Sequence, residues 1–279
     1  MIAIAKPNFN VREVFLACIS TVNNAAEKAE LEDCVDLLEL AESDFETKFP
    51  TAQIHLIQSN LTVQGNIGKK EMTIVYDYRM VRPKMPGNIY YDKIKSSAAF
   101  GKCPLCSVRT VDTLDHYLPK SKFPIYAVTP ITLIPACTPC NIGKHIEFPE
   151  SSGDQTLHPY YDVVDNVTWL QAEVIQSNPI TFDFSVVSHD TWDETLSERA
   201  TNHFNAFELN ELFASHANEE FRGSRKHFAE LFRLHPDELK AHLKSCYDSR
   251  LELGLNSWQA LMYKAMLDDI WFCSGGFIA

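Results

Sequence analysis

Several features of membrane, secreted and repeat proteins are absent from this sequence of 279 residues. It contains no apolar run of about 18 residues, and its first seven residues are too short a stretch for a signal peptide. It also has no repeat, linker or low-complexity segment. These absences predict a cytoplasmic protein with no membrane partner, which folds into one or two ordinary domains.

Basic residues are also scarce. Lys and Arg number 25 against 37 Asp and Glu, a net charge of −12 at pH 7, which disfavours indiscriminate binding to nucleic acid. The deficit is uneven, because residues 93–145 contain seven basic and two acidic residues, a local charge of +5, while the remainder carries −17. We therefore expect a locally basic site within an acidic protein, with weak intrinsic affinity for a polyanion.

Cysteine supplies the strongest motif. Two C-x-x-C pairs, Cys103/Cys106 and Cys137/Cys140, are separated by thirty residues, and two such pairs can complete a tetrahedral site for a structural Zn²⁺. The alternatives are two disulfides or a redox motif. Disulfides need an oxidising compartment, of which the sequence has no sign, and a redox motif needs only one pair. We predict zinc, and we expect the other cysteines to be buried reduced thiols: Cys18, Cys34, Cys246 and Cys273.

The segment between the two pairs predicts a strand, a loop, a second strand and a helix. Residues 113–116 and 131–134 favour two short strands. Pro119 and Pro124 favour a loop between them, and the chain after Cys140 can become helical. This order would bring the ends of the segment close to the cysteine cluster.

Side chains with metal-ligand chemistry fall in the same segment. Asp115 lies near the end of the first predicted strand, and Asn141 and His145 lie four residues apart on one face of the predicted helix. A carboxylate, an amide oxygen and an imidazole suit a divalent ion, for which we expect Mg²⁺ or Mn²⁺. The imidazole of His116 beside such an ion can deprotonate water.

At these residues the sequence resembles the HNH endonucleases, whose ββα-metal fold is often supported by a Cys₄ zinc site. The resemblance implies that His116 is the general base, that Asp115 and Asn141 hold the catalytic ion, and that His145 supplies a further ligand. The central Asn of the family motif corresponds to Thr132, which is a departure from the pattern. In the family that Asn tethers the loop carrying the base, and a threonine hydroxyl can perform part of that role.

The wider sequence resembles one bacterial branch of the HNH proteins. The resemblance covers about residues 85–170 and rests on LDHYLPKSKFP, IPACTPCNIGK and LHPYYD. Members of that branch often occur with ATPases in anti-phage systems of the Septu type. The resemblance implies phosphodiester hydrolysis in DNA or RNA by the effector subunit of a defence complex, with nucleic acid as substrate and an ATPase subunit as partner.

Several alternatives stay open at this point. The chain could be a catalytically silent zinc-binding module that docks onto a partner protein, in which Asp115 and His116 form a structural pair. Three nearby lysines either contact phosphate groups or are merely solvated: Lys120, Lys122 and Lys144. His158 either closes over the site or caps a turn.

The predicted fold is α+β and mostly α-helical, with a ββα-metal nuclease core between helical flanks. We expect a mainly helical region over residues 1–92, the nuclease core over 93–165, and a β-hairpin followed by helices over 166–279. Residues 10–48 show two helical patterns, and the second has an acidic face over residues 32–42. Either this face or the aromatic-rich C-terminal helices would be the docking surface for a partner.

Local signals predict four further features. They are a capping box at Asn10 and Glu13, β propensity over residues 73–76, a hairpin of residues 167–175 with 180–187, and helix starts at Pro236 and at Asn256 or Ser257.

Overall fold

The computed structural model of the chain describes residues 1–143 and 148–278. Within these ranges helices predominate, and the strands form three separate two-stranded antiparallel sheets. The predicted α+β class is therefore confirmed, with about half of the described residues in helices. None of the described helices has both the length and the apolar character needed to span a bilayer.

The chain forms two compact units, Met1–Asp162 and Val163–Ala279. Their division lies three residues before the boundary predicted between residues 165 and 166. The boundary predicted between residues 92 and 93 falls inside the first unit, because apolar residues of the N-terminal helices share one core with Leu114 and Leu133.

The first unit is built from short helices and two small strand pairs. Its helices are α1 Val11–Ile19, α2 Ala25–Glu32, α3 Val35–Lys48, α4 Lys69–Ile74, α5 Asn88–Lys95 and α6 Thr138–Gly143. Its strands are β1 Thr62–Gln64, β2 Ile67–Gly68, β3 Thr113–His116 and β4 Leu133–Ala136. Strand β1 pairs with β2, and β3 pairs with β4.

Helix α1 begins at the predicted capping box. The Glu13 N–H donates to the Asn10 side-chain oxygen at 3.0 Å, and the Asn10 N–H donates to the Glu13 carboxylate at 3.2 Å. This reciprocal pair satisfies two backbone donors that the first turn leaves without partners. The helix then buries one face, which includes Val11, Val14 and Phe15, in the core of the unit.

The prediction of only two helices over residues 10–48 is wrong. The second pattern is divided into α2 and α3, which are separated by Asp33 and Cys34. The turn allows Leu31 at the end of α2 and Val35 at the start of α3 to enter the same core. Burial of these side chains in the core therefore stabilises two separate helices more than one continuous helix.

The β propensity of residues 73–76 also gives a wrong prediction. Helix α4 covers the first two of these residues and continues into a π-helical turn, Val75–Met80. Met72, Val75 and Met80 are buried in the core, at a spacing that suits a helix. Tertiary packing decides the structure here, because β propensity is a weak and context-dependent preference.

The second unit begins with the predicted hairpin and continues with helices. Strands β5 Leu170–Ile175 and β6 Thr181–Val186 pair in antiparallel register, which confirms that prediction. The helices are α7 Glu194–Ala206, α8 Leu209–Leu234, α9 Pro236–Leu251, α10 Trp258–Asp268 and α11 Ile270–Cys273. Helix α9 begins at Pro236 as predicted, and α10 begins at Trp258 with Ser257, one of the two predicted starting residues, as its N-cap.

Aromatic side chains join the hairpin to α8. The rings of Phe184 and Phe213 lie 5.6 Å apart, and those of Phe182 and Phe221 lie 6.0 Å apart, both edge to face. These side chains are buried and form the core of the second unit.

Candidate active site

The two C-x-x-C pairs come together in the first unit. The four Sγ atoms of Cys103, Cys106, Cys137 and Cys140 all lie within 4.8 Å of one another, and all four residues are buried. The first pair lies in the turn that is closed by a backbone bridge between Lys102 and Thr110, and the second pair follows β4 and enters α6. Residues far apart in sequence therefore form one thiol cluster.

The geometry of this cluster suits a metal ion and excludes a disulfide. The Sγ atoms of Cys106 and Cys137 are 4.0 Å apart, whereas a disulfide requires about 2 Å. All eight cysteines of the chain are free thiols. A tetrahedral zinc ion with Zn–S distances of about 2.3 Å places its sulfur ligands about 3.8 Å apart. The cluster can therefore hold a structural metal ion with little rearrangement.

Hydrogen bonding among the four thiols shifts their pKa values in opposite directions. Hydrogen bonding from Cys103 lowers the pKa of the Cys106 thiol, and it lowers the pKa of Cys137 to about 7. The hydrogen bond with Cys106 raises the pKa of Cys103. The hydrogen bond with Cys103 raises the pKa of Cys140. Thiolates are the metal-binding form, so part of the cluster is already disposed to bind a cation.

A strand, a loop, a second strand and a helix follow one another between and after the cysteine pairs, in the order that the sequence predicts. The second strand lies two residues later than predicted, because residues 131–132 belong to a 3-10 turn that begins at Pro130. In the β3–β4 pair, Asp115 is opposite Ile134 and His116 is opposite Leu133. Every residue of β4 is buried, which fixes the register of the hairpin. Helix α6 then packs against β3.

Four of the predicted site residues line one pocket. Asp115, His116, Lys120 and Asn141 surround a cavity of about 290 Å³, together with Tyr117 and nearby loop residues. A space of this size holds roughly ten water molecules, which is enough for a hydrated ion and a phosphate group. The Asp115 side chain is buried, with 4 % of the residue exposed.

The orientation of His116 is set by a backbone carbonyl. Its Nε2 lies 2.9 Å from the oxygen of Ala127, and its ring packs edge to face on Tyr76 with the centroids 4.3 Å apart. A carbonyl oxygen can only accept, so this contact requires a proton on Nε2. In the neutral imidazole the lone pair is then on Nδ1, the nitrogen that can act as a base.

Thr132 lies at the base of the same loop and is fully buried. Its hydroxyl donates to the carbonyl oxygens of Thr129 at 2.9 Å and Tyr126 at 3.3 Å. Its own carbonyl accepts from the Tyr117 N–H at 2.8 Å. Thr132 therefore joins the residue after His116 to the loop that contains Ala127.

Asp77 and Tyr76, which belong to no sequence motif, hold Lys120 at the pocket. Its Nζ lies 2.6 Å from a carboxylate oxygen of Asp77 and 4.2 Å from the centroid of the Tyr76 ring. Both partners come from the π-helical turn, a feature that often occurs at functional sites. Burial raises the pKa of the Tyr76 hydroxyl, so this ring is neutral. No sequence pattern indicates these contacts, because they depend on a helical turn where the local propensity favours a strand.

The remaining predicted residues are placed as follows. Lys122 is exposed and does not line the pocket. Lys144 and His145 lie outside the described residues. His158 is buried in an aromatic cluster, where its Nδ1 accepts from the Tyr160 N–H at 3.2 Å and its ring lies 4.7 Å from that of Tyr117. In this position it caps a turn behind the pocket wall.

Comparison with known proteins gives one relative. The sequence is similar to the protein Ea31 of Escherichia phage lambda, with 26 % identity over 244 residues, which cover 81 % of this chain and 81 % of Ea31. No family model and no solved structure matches the chain.

Proposed function

We propose that this protein is a metal-dependent endonuclease of the HNH type, which hydrolyses phosphodiester bonds in DNA or RNA. The observation that carries the proposal is the pocket lined by Asp115, His116, Lys120 and Asn141 at the end of the β3–β4 hairpin. The adjacent Cys₄ cluster and the order of strand, loop, strand and helix support it.

His116 is the general base in this proposal. Its Nε2–H is held by the Ala127 carbonyl, so Nδ1 accepts a proton from water. The resulting hydroxide attacks phosphorus, and the bond to the 3′ oxygen breaks as that oxygen leaves. The imidazolium formed on His116 is stabilised by its hydrogen bond to the carbonyl and by the neighbouring Tyr76 ring.

Asp115 and Asn141 supply oxygen ligands for the catalytic ion, for which Mg²⁺ or Mn²⁺ is our proposal. The chemistry that such an ion supplies when bound is neutralisation of charge on the phosphate and on the leaving 3′ oxygen. His145, which is outside the described residues, is proposed as a further ligand. Lys120 and Asp115 bring opposite charges to the pocket, so the lysine is suited to a phosphate oxygen and the aspartate to the cation.

The Cys₄ cluster has a different task. We propose that it binds Zn²⁺ and holds the segment from Cys103 to Cys106 against the start of α6, which contains Asn141. A closed set of four thiolates leaves no open position for a water molecule, so this ion is structural.

The test is cleavage of supercoiled plasmid and of RNA in the presence of Mg²⁺ or Mn²⁺. We expect the wild type to cut and His116→Ala to be inactive. His189→Ala removes a histidine from the second unit and is the matched control, which should cut at the wild-type rate. Equal and negligible cleavage by all three proteins, with and without added partner fractions, would contradict the proposal.

A silent zinc module that docks onto a partner is the second candidate. It is favoured by the net charge of −12 and by Thr132 at the position where the HNH motif has Asn. In either case we propose an ATPase subunit of a defence complex as partner, with the acidic face of α2 and α3 as docking surface. Asp36 and Glu39 on that face are already bound at 2.7 Å by Arg12, which reduces the charge offered to a partner.

The partner proposal is tested by purifying the protein from its native operon and measuring its mass in solution. Co-purification of an ATPase on which cleavage depends would support it, and Glu32→Lys would then test the acidic face. A monomer that cuts as fast alone as in lysate would contradict it.

A further inference from the structure

The turn between α5 and the first C-x-x-C pair presents an aromatic ring to solvent. Phe100 is 100 % exposed, and its backbone is left-handed, with φ 55° and ψ 19°. Gly101 follows with φ 64°. A bulky side chain is strained in this region, whereas glycine adopts it freely. Neither burial nor backbone preference accounts for a phenylalanine at this position.

This turn is firmly held. The Gly101 N–H donates to the Ala98 carbonyl at 3.0 Å, and the Val111 N–H donates to the Gly101 carbonyl at 2.9 Å. Ala98 is buried, and Lys102 pairs with Thr110 in the bridge beside the cysteine cluster. The ring therefore projects from a fixed support rather than from a loose loop.

The surrounding sequence is basic. Residues 93–110 contain four cations and no acidic residue, although the chain as a whole carries −12, and the acids Asp92 and Asp112 lie just outside this stretch. The Nζ of Lys102, two residues after Phe100, donates to the Val108 carbonyl at 2.9 Å. This bond keeps a positive charge near the base of the turn. An exposed ring two residues from Lys102, within a basic stretch of the chain, is complementary to a polyanion that contains flat rings.

We propose that Phe100 is a stacking platform for an unpaired base of nucleic acid, and that Lys102 and other cations of residues 93–110 contact the neighbouring phosphates. Stacking of a base on an aromatic side chain tolerates any sequence, and it is the contact by which many proteins bind single strands. The inference rests on the proposed function in taking nucleic acid as the substrate. It adds that an unpaired or single-stranded region is the preferred form.

The test is fluorescence anisotropy with labelled single strands and with the matching duplexes, both DNA and RNA. Every protein carries His116→Ala, so that the strands stay intact. We expect single strands to bind more tightly than duplexes. Phe100→Gly should weaken single-strand binding by about 5- to 100-fold and raise the melting temperature, because glycine relieves the strained backbone. Phe100→Trp should retain the affinity, and Phe100→Leu should lose it.

Leu40→Ala is the matched control, because it removes an exposed apolar side chain from α3 and should leave binding unchanged. The inference is overturned if Phe100→Gly or Phe100→Leu binds single strands like the parent protein. It is also overturned if the parent protein binds no nucleic acid. The same holds if the parent protein also binds anionic lipid vesicles and Phe100→Gly abolishes the vesicle binding but leaves single-strand binding unchanged.

The outcomes for stacking and for hydrolysis are separable. Phe100-dependent binding by a chain that never cuts in the cleavage assay would leave the stacking inference standing and remove the nuclease proposal. Cleavage by the wild type, with equal binding by all Phe100 variants, would support the nuclease proposal and remove the stacking inference.

Discussion

The Nε2 atom of His116 lies 2.9 Å from the carbonyl oxygen of Ala127, and the loop that carries this carbonyl is tied by the hydroxyl of Thr132. The hydroxyl binds the carbonyls of Tyr126 and Thr129, which flank Ala127 on both sides. A residue without ionisable chemistry therefore controls the orientation of the proposed base. This arrangement is a structural reason for a buried hydroxyl at position 132.

Thr132→Val should impair both stability and turnover. The substitution keeps the shape of the side chain but removes the donor from two buried carbonyls, which should cost about 1 kcal/mol of unfolding free energy. Because the loop is then less constrained, we expect kcat to fall about tenfold with little change in KM. Thr132→Ser retains the hydroxyl and should preserve most of the activity. Urea denaturation and steady-state kinetics measure the two effects.

Thr129→Val is the matched control, three residues earlier in the same loop. Thr129 is equally buried, but among the described residues its hydroxyl has no hydrogen-bond partner. Replacing it by a methyl group removes the cost of burying an unsatisfied polar group, so this variant should be as stable as the wild type or about 1 kcal/mol more stable. Equal losses of stability in the two Thr→Val variants would show that the Thr132 hydroxyl has no special role.

Cys137→Ser should remove the structural metal ion. The purified wild type should contain about one zinc per chain, and the variant should contain far less and melt at a lower temperature, because the ligation energy is part of the folding energy. Cys246→Ser changes a thiol outside the cluster and should keep the full zinc content. Elemental analysis and thermal unfolding are the measurements. A folded wild-type protein with four reactive thiols and no zinc would contradict the assignment.

The cysteine spacing predicts the thiol cluster, and the β propensity of residues 113–116 predicts β3, whereas the second strand begins at Leu133, two residues later than the propensity of residues 131–134 indicates. These signals are local, and they place the elements to within about two residues. The hairpin of the second unit and the helix start at Pro236 are predictable for the same reason, since alternation and turn chemistry act over a few residues.

The contacts made by Tyr76 and Asp77 could not be predicted in this way. Residues 73–76 have β propensity, yet burial of Met72 and Met80 against the N-terminal helices makes the segment helical. Only that helical path brings Tyr76 to the ring of His116, forty residues later in the chain. The contact with the Ala127 carbonyl could not be predicted from a motif either, because every residue has a backbone carbonyl whatever its side chain.

Glu42 should make stability depend on pH. Burial raises its pKa from 4.5 to about 7. One carboxylate oxygen accepts from the Val11 N–H at 3.0 Å, while the other is buried with no hydrogen-bond partner among the described residues. The folded chain therefore binds the proton more tightly than the unfolded chain, so the unfolding free energy should fall as the pH rises from about 4.5 to 7.

Glu42→Gln mimics the protonated acid and should remove this dependence. We expect the variant to match the wild type below pH 4.5 and to be about 1 to 2 kcal/mol more stable above pH 7, after allowance for solvent screening. Glu27→Gln, an exposed acid on α2, should keep the wild-type profile. Urea denaturation across the pH range is the measurement, and parallel profiles for the wild type and Glu42→Gln would refute the interpretation.

Lys120 and Asp77 should have opposite effects on substrate binding. Asp77 holds the lysine at 2.6 Å and offsets its charge at the pocket. Lys120→Ala should raise KM and lower the slope of log KM against log salt by about one, because one phosphate contact is lost. Asp77→Asn should lower KM about two- to threefold, because the lysine charge is then fully available to the substrate.

Lys122→Ala is the matched control for this pair. It removes the same charge two residues after Lys120, and the Lys122 side chain does not line the pocket. It should change KM less than Lys120→Ala. If the two lysine variants behave alike, the effect is one of general charge rather than of a pocket contact. If Asp77→Asn raises KM, then Asp77 positions Lys120 rather than masking its charge, and the bond between them is part of the binding geometry.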